Sequence, residues 1–254
     1  MLLTIDVGNT QTVLGLFDGP QLTHHWRIAT NVERTSDELA LLVSELLRLR
    51  GIEFHPEEMG IAISSVVPRL TAALREMTDE WFGVKAVVLE PGTRTGMPIL
   101  YDNPKEVGAD RIANAVGAYD LYGGPCICVD FGTATTFDAI SAKGEYLGGA
   151  IIPGIEISLD ALFGRAAALR RVELVEPRNV IGKNTVESMQ AGAVYGFAAQ
   201  VDGLCQRMER ELGEATVVAT GGLAALITPL STMIQHHEPW VTLIGLRLIW
   251  ERNQ

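Results

Sequence analysis

The chain has 254 residues, of which 47% are hydrophobic, and its formal net charge at neutral pH is −11. This length exceeds the roughly 100–150 residues of a common single domain, so two modest domains are expected. The acidic balance argues against a nucleic-acid partner, because binding to phosphates needs clustered lysine and arginine. No apolar run of about 18 residues predicts a membrane span, and no basic segment before an apolar stretch indicates a signal peptide.

The three cysteines do not suggest a disulfide framework in a chain of this length, and we expect a cytoplasmic protein. Cys126 and Cys128 alternate along the apolar stretch PCICVDF. Their spacing admits a metal site, but no further Cys or His cluster completes one. We therefore interpret both residues as small apolar side chains of a buried strand.

The first half of the chain alternates strand and helix patterns. Two strands flank a polar turn at residues 6–12, and LTHHWRIAT predicts a third strand. SDELALLVSELLRLRG predicts a helix that Thr35 or Ser36 caps. A strand at MGIAISSVV, a helix from about Pro68 and a strand at KAVVLE follow. This alternation indicates an α/β architecture with parallel pairing.

The loop-rich stretch at residues 90–111 contains three prolines and three glycines and predicts a domain boundary. A helix at RIANAVGAYDLYG follows it. The second half then predicts strands at CICVDF and GEYLGGAIIPG, a helix from about Ile157, and a long helix over residues 185–212. ATVVATGGLAALI predicts a strand, a Gly-Gly turn and a helix, and the chain ends in a helix at VTLIGLRLIWERN.

The plan of the opening stretch occurs a second time. Ile5-Asp6-Val7-Gly8-Asn9-Thr10 aligns with Val129-Asp130-Phe131-Gly132-Thr133-Ala134, and apolar strands flank both. The two aspartates lie almost half the chain apart. The sequence therefore predicts duplicated domains, each opened by one acidic hairpin.

Each acidic turn has the chemistry of a phosphate-binding hairpin. Glycine and hydroxyl groups at a hairpin tip offer donors to a phosphate, and a carboxylate at the strand end can hold a hydrated cation that bridges phosphate oxygens. A third turn, from Thr220 to Ala224, follows an apolar strand, and its glycines would admit a base or a ribose. One D-x-G hairpin is most often just a turn, whereas these three elements in this order indicate a nucleotide site.

The stretch GADR, from Gly108 to Arg111, is a candidate catalytic element. Phosphoryl transfer to an alcohol needs positioning and charge neutralisation, and a carboxylate within hydrogen-bond reach of the hydroxyl assists it. Asp110 supplies such a carboxylate at the start of a helix whose dipole favours anions. From the residues alone, Asp110 can equally be an N-cap, and Arg111 can form a surface ion pair with Glu106.

These motifs resemble those of the acetate and sugar kinase, heat-shock ATPase and actin superfamily. Neither G-x-x-x-x-G-K-[ST] nor G-x-G-x-x-G after a strand occurs, which excludes a P-loop kinase. Within the superfamily, the sequence closely resembles the type III pantothenate kinase family over nearly the whole chain. The motifs that carry the resemblance are DVGNTQT, SSVVP, GADR, VDFGTATTFD, GGAIIPG, GKNT, TGG and TLIGLRLIWERN. Gln11 and Ile244 depart from the usual Asn and Glu without removing a catalytic group.

The resemblance implies an α/β fold of two duplicated ribonuclease-H-like, actin-like ATPase domains with a cleft between them. We predict them as residues 1–112, with the first phosphate hairpin, and residues 113–254, with the second hairpin, the adenosine turn and a dimerisation helix. The implied activity is ATP-dependent phosphorylation of pantothenate to 4'-phosphopantothenate, the first step of coenzyme A biosynthesis. The alternatives are a kinase of the same fold for another small alcohol or acid, and a non-catalytic nucleotide-binding regulator.

Individual roles follow from the same resemblance. Asp110 is the expected general base, Asp130 the ligand of a monovalent cation (K⁺ or NH₄⁺), and Asp6 the ligand of the magnesium that accompanies ATP. The expected ATP-binding residues are Asp6, Val7, Gly8, Asn9, Thr10, Gln11, Thr12, Val13 and Thr133. The expected substrate-binding residues are Tyr101, Gly108, Ala109, Asp110, Arg111 and Thr185. Thr185 is expected to reach across the interface of a homodimer.

Overall fold

A computed structural model describes residues 1–166 and 169–254. The chain divides into two compact units. Unit 1 comprises Met1–Met97, Asp102–Gly117 and Val241–Gln254, and unit 2 comprises Pro98–Tyr101 and Ala118–Trp240. Each unit contains one five-stranded mixed sheet.

The sheet of unit 1 has the order β3-β2-β1-β4-β5. In chain order, β1 to β5 span Leu2–Val7, Gln11–Asp18, Gln21–Ala29, Gly60–Ser65 and Val87–Val88. β1 to β3 form an antiparallel meander, and β4 pairs parallel to both β1 and β5. The strand predicted at KAVVLE is therefore confirmed, although only two of its residues form the ladder.

Three helices pack in unit 1. α1 spans Ser36–Arg48 and begins with a capping box in which Thr35, not Ser36, is the N-cap. α2 spans Pro68–Glu76 and runs into a π-helical turn at Met77–Trp81. The apolar faces of α1 and α2 share one core cluster with alternate residues of β1, including Leu3, Ile5 and Val7. The C-terminal helix, α7, spans Val241–Glu251.

The sheet of unit 2 has the order β10-β9-β6-β7-β8. In chain order, β6 to β10 span Cys126–Phe131, Ala134–Ile140, Tyr146–Pro153, Thr216–Thr220 and His236–His237. β6 to β8 are an antiparallel meander, and β9 pairs parallel to β6. Read from its meander edge, this sheet has the same order and directions as the sheet of unit 1. The predicted α/β class with a duplicated sheet is confirmed.

The helices that belong wholly to unit 2 are α4 (Ile155–Arg165), α5 (Thr185–Leu212) and the short α6 (Ala224–Ile227). α5 has the predicted bounds, and Asn184 caps it by accepting a hydrogen bond from the Glu187 N–H at 2.9 Å. The buried face of α5 packs against Ile127, Val129 and Phe131 of β6 in one core cluster. α3 spans Ala109–Tyr122 and covers the boundary between the two residue ranges.

The compact units differ from the predicted ranges 1–112 and 113–254, chiefly at the C terminus. α7 belongs to unit 1, where Asn253 donates to the Arg94 carbonyl at 2.9 Å and Arg252 donates to the Thr95 carbonyl at 2.8 Å. The Thr242 hydroxyl also donates to Asn114 at 2.6 Å. These contacts join residues that are distant in sequence, so local pattern could not place α7. The functional domain limits stay a prediction.

Cys126 and Cys128 lie buried in β6 as free thiols, which agrees with their interpretation as core residues. Burial raises the pKa of the Cys126 thiol to about 12, so it is protonated at neutral pH. Within the described ranges, no helix combines the length and apolar character needed to cross a bilayer.

Candidate active site

The first phosphate hairpin joins β1 to β2 through a four-residue turn, Gly8–Gln11, which the Gly8 N–H closes by donating to the Gln11 carbonyl at 3.0 Å. Asn9, Thr10 and Gln11 are exposed at its tip. The sequence places small polar groups there because neither face of the turn contributes to the core. Their side chains therefore lie at the surface of unit 1.

Thr30, at the end of β3, braces this hairpin from the side. Its hydroxyl donates to the Gly8 carbonyl at 2.8 Å, and its N–H donates to the Thr10 carbonyl at 2.9 Å. The Thr12 hydroxyl lies 2.9 Å from the Thr30 hydroxyl. Because the single O–H of Thr30 is used on Gly8, Thr12 is the donor in this contact. Three hydrogen bonds thus hold the turn in one conformation.

Asp6 stands next to last in β1, half-buried, between two buried neighbours, Ile5 and Val7. Successive residues of a strand face opposite sides of the sheet. Ile5 and Val7 face the core cluster, so the Asp6 carboxylate faces the opposite side. Its register partners are Val13 of β2 and Ser64 of β4. The strand end thus presents a carboxylate beside the donor-rich turn.

The second phosphate hairpin repeats this plan in unit 2 with a turn that is one residue shorter. The Gly132 N–H donates to the Ala134 carbonyl at 3.1 Å, and Thr133 is exposed at the tip. The N–H of Gly154, just before α4, donates to the Thr133 carbonyl at 3.1 Å. Asp130 is half-buried on the sheet face opposite to the core residues Val129 and Phe131.

The Gly-Gly turn and the second hairpin meet within unit 2. Gly221 follows β9 with φ of +94°, a backbone conformation that favours glycine. A Cβ there would collide with the Asp130 carboxylate and with the backbone of Phe131. Thr220 is also in register with Asp130. The structure therefore brings together two of the elements that the sequence separates by almost a hundred residues.

Asp110 lies inside the first turn of α3, which begins at Ala109, so it is not the N-cap residue. Its Oδ1 accepts a hydrogen bond from the Arg111 N–H at 2.8 Å and stands against Gly108. The Arg111 side chain is only 7% exposed, which does not fit a surface ion pair. Glu106 instead accepts a hydrogen bond from Asn103 at 2.7 Å.

The pKa of the Asp110 carboxyl is raised above its ordinary value. Burial is the largest cause, and the Arg111 N–H hydrogen bond and the Arg111 charge oppose it. A carboxylate with a raised pKa is a stronger base than an ordinary aspartate. This environment suits a group that accepts a proton from a substrate hydroxyl.

The two remaining predicted substrate residues both lie in unit 2. Tyr101 is half-buried, and its ring centroid lies 6.3 Å from that of Tyr146. Thr185 is the exposed first residue of α5, at the rim of a cavity of about 710 Å³ that α4 and α5 line. Their roles toward a substrate stay predictions.

Sequence reasoning missed three residues that support these elements. Thr30 carries no sequence signal, because a threonine at a strand end is ordinary. Asp138 is a fully buried carboxylate in the apolar stretch TTFDAI, and this contrast could have marked it. Its partner Tyr146 donates a hydrogen bond to Asp138 Oδ1 at 2.8 Å, which only the folded structure reveals.

Asp6 and Asp130 are the predicted cation ligands. Asp6 lies near the end of β1, next to the turn whose tip exposes Asn9, Thr10 and Gln11, and Mg²⁺ prefers oxygen ligands. The Asp130 carboxylate lies against Gly221, where a Cβ would collide with it. In the part of the chain that the structure describes, no group of three or more His, Cys, Asp or Glu residues forms a complete metal site. The roles of both aspartates as cation ligands stay predictions, and a cation at either one would need further ligands from a bound nucleotide or water.

Comparison with solved structures supports the fold. The inorganic polyphosphate/ATP-glucomannokinase from Arthrobacter sp. strain KM aligns with a TM-score of 0.52 at 14% identity, and the alignment covers 100% of this chain and 99% of that chain. Identity this low shows the fold alone. The chain thus shares the fold of this glucomannokinase.

Comparison of sequences gives the family. The model of the type III pantothenate kinase family matches residues 2–207. A type III pantothenate kinase from Streptomyces avermitilis is 62% identical, with 100% of this chain and 98% of that protein covered. Another, from Moorella thermoacetica, is 57% identical, with 100% of both covered. The chain belongs to the type III pantothenate kinase family.

Proposed function

We propose that this chain catalyses ATP-dependent phosphorylation of pantothenate to 4'-phosphopantothenate, the first step of coenzyme A biosynthesis. The observation that carries the proposal is the half-buried Asp110 carboxylate, with its raised pKa, at the start of α3 in a member of this family. The two hairpins and the Gly-Gly turn supply the nucleotide-binding elements that such a kinase needs.

Asp110 acts as the general base. Its carboxylate accepts the proton of the primary hydroxyl of pantothenate while that oxygen forms a bond to the γ-phosphorus. The bond from the γ-phosphorus to the bridging β–γ oxygen breaks, and ADP leaves with the electron pair. Asp110 afterwards releases the proton to water. Arg111 faces the substrate carboxylate or the transferred phosphate as a permanent cation.

The first hairpin holds the triphosphate of ATP. Backbone N–H and side-chain groups of the turn bind phosphate oxygens. Asp6 and Val13, which are paired across β1 and β2, lie next to this proposed phosphate site. Asp6 is the proposed ligand of Mg²⁺, which neutralises phosphate charge when bound. The bracing by Thr30 keeps these donors oriented before ATP arrives, so less ordering is required on binding.

The second hairpin contributes Thr133 to ATP binding and Asp130 to a monovalent cation. A monovalent ion is weakly hydrated and needs few charged ligands, which suits one carboxylate with nearby backbone oxygens. Gly221 supports this assignment, because a side chain at that position would collide with the Asp130 carboxylate. K⁺ and NH₄⁺ are the proposed occupants.

The proposed pantothenate-binding residues are Tyr101, Gly108, Ala109, Asp110 and Arg111. Thr185 is proposed to contribute from a second copy of the chain in a homodimer. Exposed apolar side chains near the start of α5 support such an interface: Ile181 is 78% exposed and Val186 is 49% exposed. Light scattering on the purified chain tests this arrangement, and a monomer at micromolar concentration overturns it.

The enzyme is proposed to work in the cytoplasm. All three cysteines are free and buried, and none takes part in a disulfide. Reduced cysteines are typical of proteins from a reducing compartment. Fractionation of cells that produce the tagged chain provides the check.

Two other functions compete with this proposal. A kinase of the same fold for another small alcohol or acid is possible because the fold does not determine the acceptor. A panel of small alcohols and acids, each assayed with ATP, distinguishes it. A non-catalytic regulator predicts normal ATP binding without turnover, but the raised pKa of Asp110 favours an enzyme.

The decisive experiment measures phosphorylation of pantothenate by the purified chain in K⁺ and in Na⁺, together with Asp110→Asn. We expect turnover that depends on K⁺, and a fall in kcat of about 10²–10⁴-fold in the variant. ATP binding by Asp110→Asn should be unchanged. ATP binding without turnover on pantothenate would leave the fold intact and refute the named activity.

The pH dependence provides a second check on Asp110. Because its pKa is raised, kcat/KM should fall with decreasing pH in a limb above the ordinary aspartate range. The contribution of Asp110 to folding stability has the opposite pH dependence to its contribution to kcat/KM. A raised folded-state pKa contributes stability below the unfolded pKa, and this contribution is lost as pH rises through the folded value. Asp110→Asn should therefore melt at the same temperature as the parent chain or higher at pH 7.

A further inference from the structure

The segment Pro98–Tyr101, which carries the predicted substrate residue Tyr101, pairs with the sheet of unit 2 at a single residue. The Tyr146 N–H donates to the Pro98 carbonyl at 2.9 Å, and the Leu100 N–H donates to the Tyr146 carbonyl at 2.8 Å. Ile99 forms an isolated parallel bridge with Tyr146. Tyr146 begins β8, the edge strand of this sheet. The position of the segment therefore depends on Tyr146.

The side chain of Tyr146 is itself held inside unit 2. Both Tyr146 and Asp138 are 0% exposed, and the Tyr146 hydroxyl donates to Asp138 Oδ1 at 2.8 Å. The Thr136 hydroxyl donates to the other carboxylate oxygen at 3.4 Å. An apolar pair could fill this space without the cost of burying a carboxylate. The Tyr146–Asp138 pair instead fixes the orientation of the Tyr146 ring, because the short hydrogen bond is directional.

The Tyr101 ring rests on the start of β8. It is tilted by 57° to the Tyr146 ring, with the two centroids 6.3 Å apart. The ring also lies close to Gly148, where a Cβ would be 3.3 Å from a ring carbon of Tyr101 and where φ is +121°. The Tyr101 ring therefore packs against both Tyr146 and Gly148.

We propose that Tyr146 and Asp138 are positioning residues of the pantothenate site. Neither needs to touch substrate: Asp138 orients Tyr146, and Tyr146 fixes both the segment Pro98–Tyr101 and the ring of Tyr101. The inference rests on the proposed function, because it takes Tyr101 as a pantothenate contact. It predicts that loss of the buried hydrogen bond weakens pantothenate binding while ATP binding and the chemical step are retained.

The first experiment compares Tyr146→Phe with Tyr119→Phe in the full chain. Tyr146→Phe removes only the hydroxyl group, and with it the hydrogen bond that Asp138 accepts. Tyr119→Phe removes a hydroxyl whose contact, to the Ala142 carbonyl at 3.5 Å, is long. We expect KM for pantothenate to rise about tenfold in Tyr146→Phe, as for one lost hydrogen bond to a charged group. KM for ATP and kcat should stay within about twofold, and Tyr119→Phe should resemble the parent chain. An equal rise in both KM values would mean general loosening and overturn the proposal.

A double-mutant cycle tests whether Tyr146 acts through Tyr101. If it does, Tyr101→Ala combined with Tyr146→Phe should show the same KM for pantothenate as Tyr101→Ala alone. Multiplied effects would contradict this relation. Asp138→Asn keeps an acceptor for Tyr146 without the charge and should raise KM less than Tyr146→Phe does. Should Tyr146→Phe fail to fold, this variant decides the matter, and an unchanged KM in it refutes the proposal.

Hydrogen exchange gives a readout that does not need turnover. The Leu100 amide, which donates to Tyr146, should exchange faster in Tyr146→Phe than in Tyr119→Phe. Unchanged exchange would refute the positioning role even if pantothenate is the substrate. Faster exchange in a chain that does not phosphorylate pantothenate would instead refute the proposed function, and the link from this segment to pantothenate with it.

Discussion

The two phosphate hairpins carry an aspartate at the same strand position, yet they are supported in different ways. In unit 1, Thr30, which directly follows β3, braces the turn through its hydroxyl, which donates to the Gly8 carbonyl at 2.8 Å, and through its N–H, which donates to the Thr10 carbonyl at 2.9 Å. In unit 2, main-chain groups do so: the Gly154 N–H donates to Thr133, and Gly221 packs directly against Asp130. The two sheets therefore share their strand order and the position of the aspartate, but the groups that support the two turns differ.

The difference leads us to propose separate roles for the two aspartates. The first turn has four residues, and three of them carry exposed polar side chains, which is the arrangement expected of a turn that binds a polyphosphate. The second turn is shorter, and its aspartate lies against the backbone of Gly221. Variants at both aspartates test whether the two equivalent positions bind different groups.

The largest expected effects come from neutralising each aspartate separately. Asp6→Asn should lower kcat by about 10²–10³-fold in K⁺ and in Na⁺ alike, because charge stabilisation at the phosphates is lost. Asp130→Asn should abolish the activation by K⁺ and leave the activity of the parent chain in Na⁺. Steady-state assays in both salts measure this. The same salt response in both variants would show that the two acids do not have separate roles.

A smaller effect is expected where the Gly-Gly turn meets the second hairpin. Gly221→Ala introduces a Cβ against Asp130 at a positive φ, so the free energy of unfolding should fall by about 1–3 kcal/mol. Gly222→Ala is the matched control, because a Cβ there meets no heavy atom within 4 Å. Urea denaturation of both variants measures the difference. Equal midpoints would contradict the close contact.

The smallest effect concerns the brace of the first hairpin. Thr30→Val removes the donor to the Gly8 carbonyl and should lower the free energy of unfolding by about 1 kcal/mol, or Tm by about 2–4 °C. KM for ATP should rise as the turn loses its fixed shape. Thr30→Ser keeps the hydroxyl and should behave like the parent chain in both measurements. A rise in KM for ATP with both substitutions would point to lost packing of the methyl group instead.

Much of the fold could be predicted from local pattern. The bounds of α5, residues 185–212, agree with the structure because a long apolar periodicity and the Asn184 cap are both local signals. The duplicated sheet was foreseeable because two hairpins share one order of apolar, acidic and glycine residues. β5 was predicted at KAVVLE, although only two of its residues form the ladder. β10 is also two residues long and was not predicted, because so short a ladder leaves almost no pattern.

The sequence by itself determined the α/β class, the duplication and the family, because each depends on contiguous stretches. The same stretches supply the residues that are proposed to carry the chemistry. Only the tertiary structure decided that α7 packs in unit 1, that Gly221 stands against Asp130, and that Asp138 holds Tyr146 beneath Tyr101. These contacts join residues that are close only after folding. Their partners are chosen by shape and hydrogen bonding in three dimensions, which no local periodicity encodes.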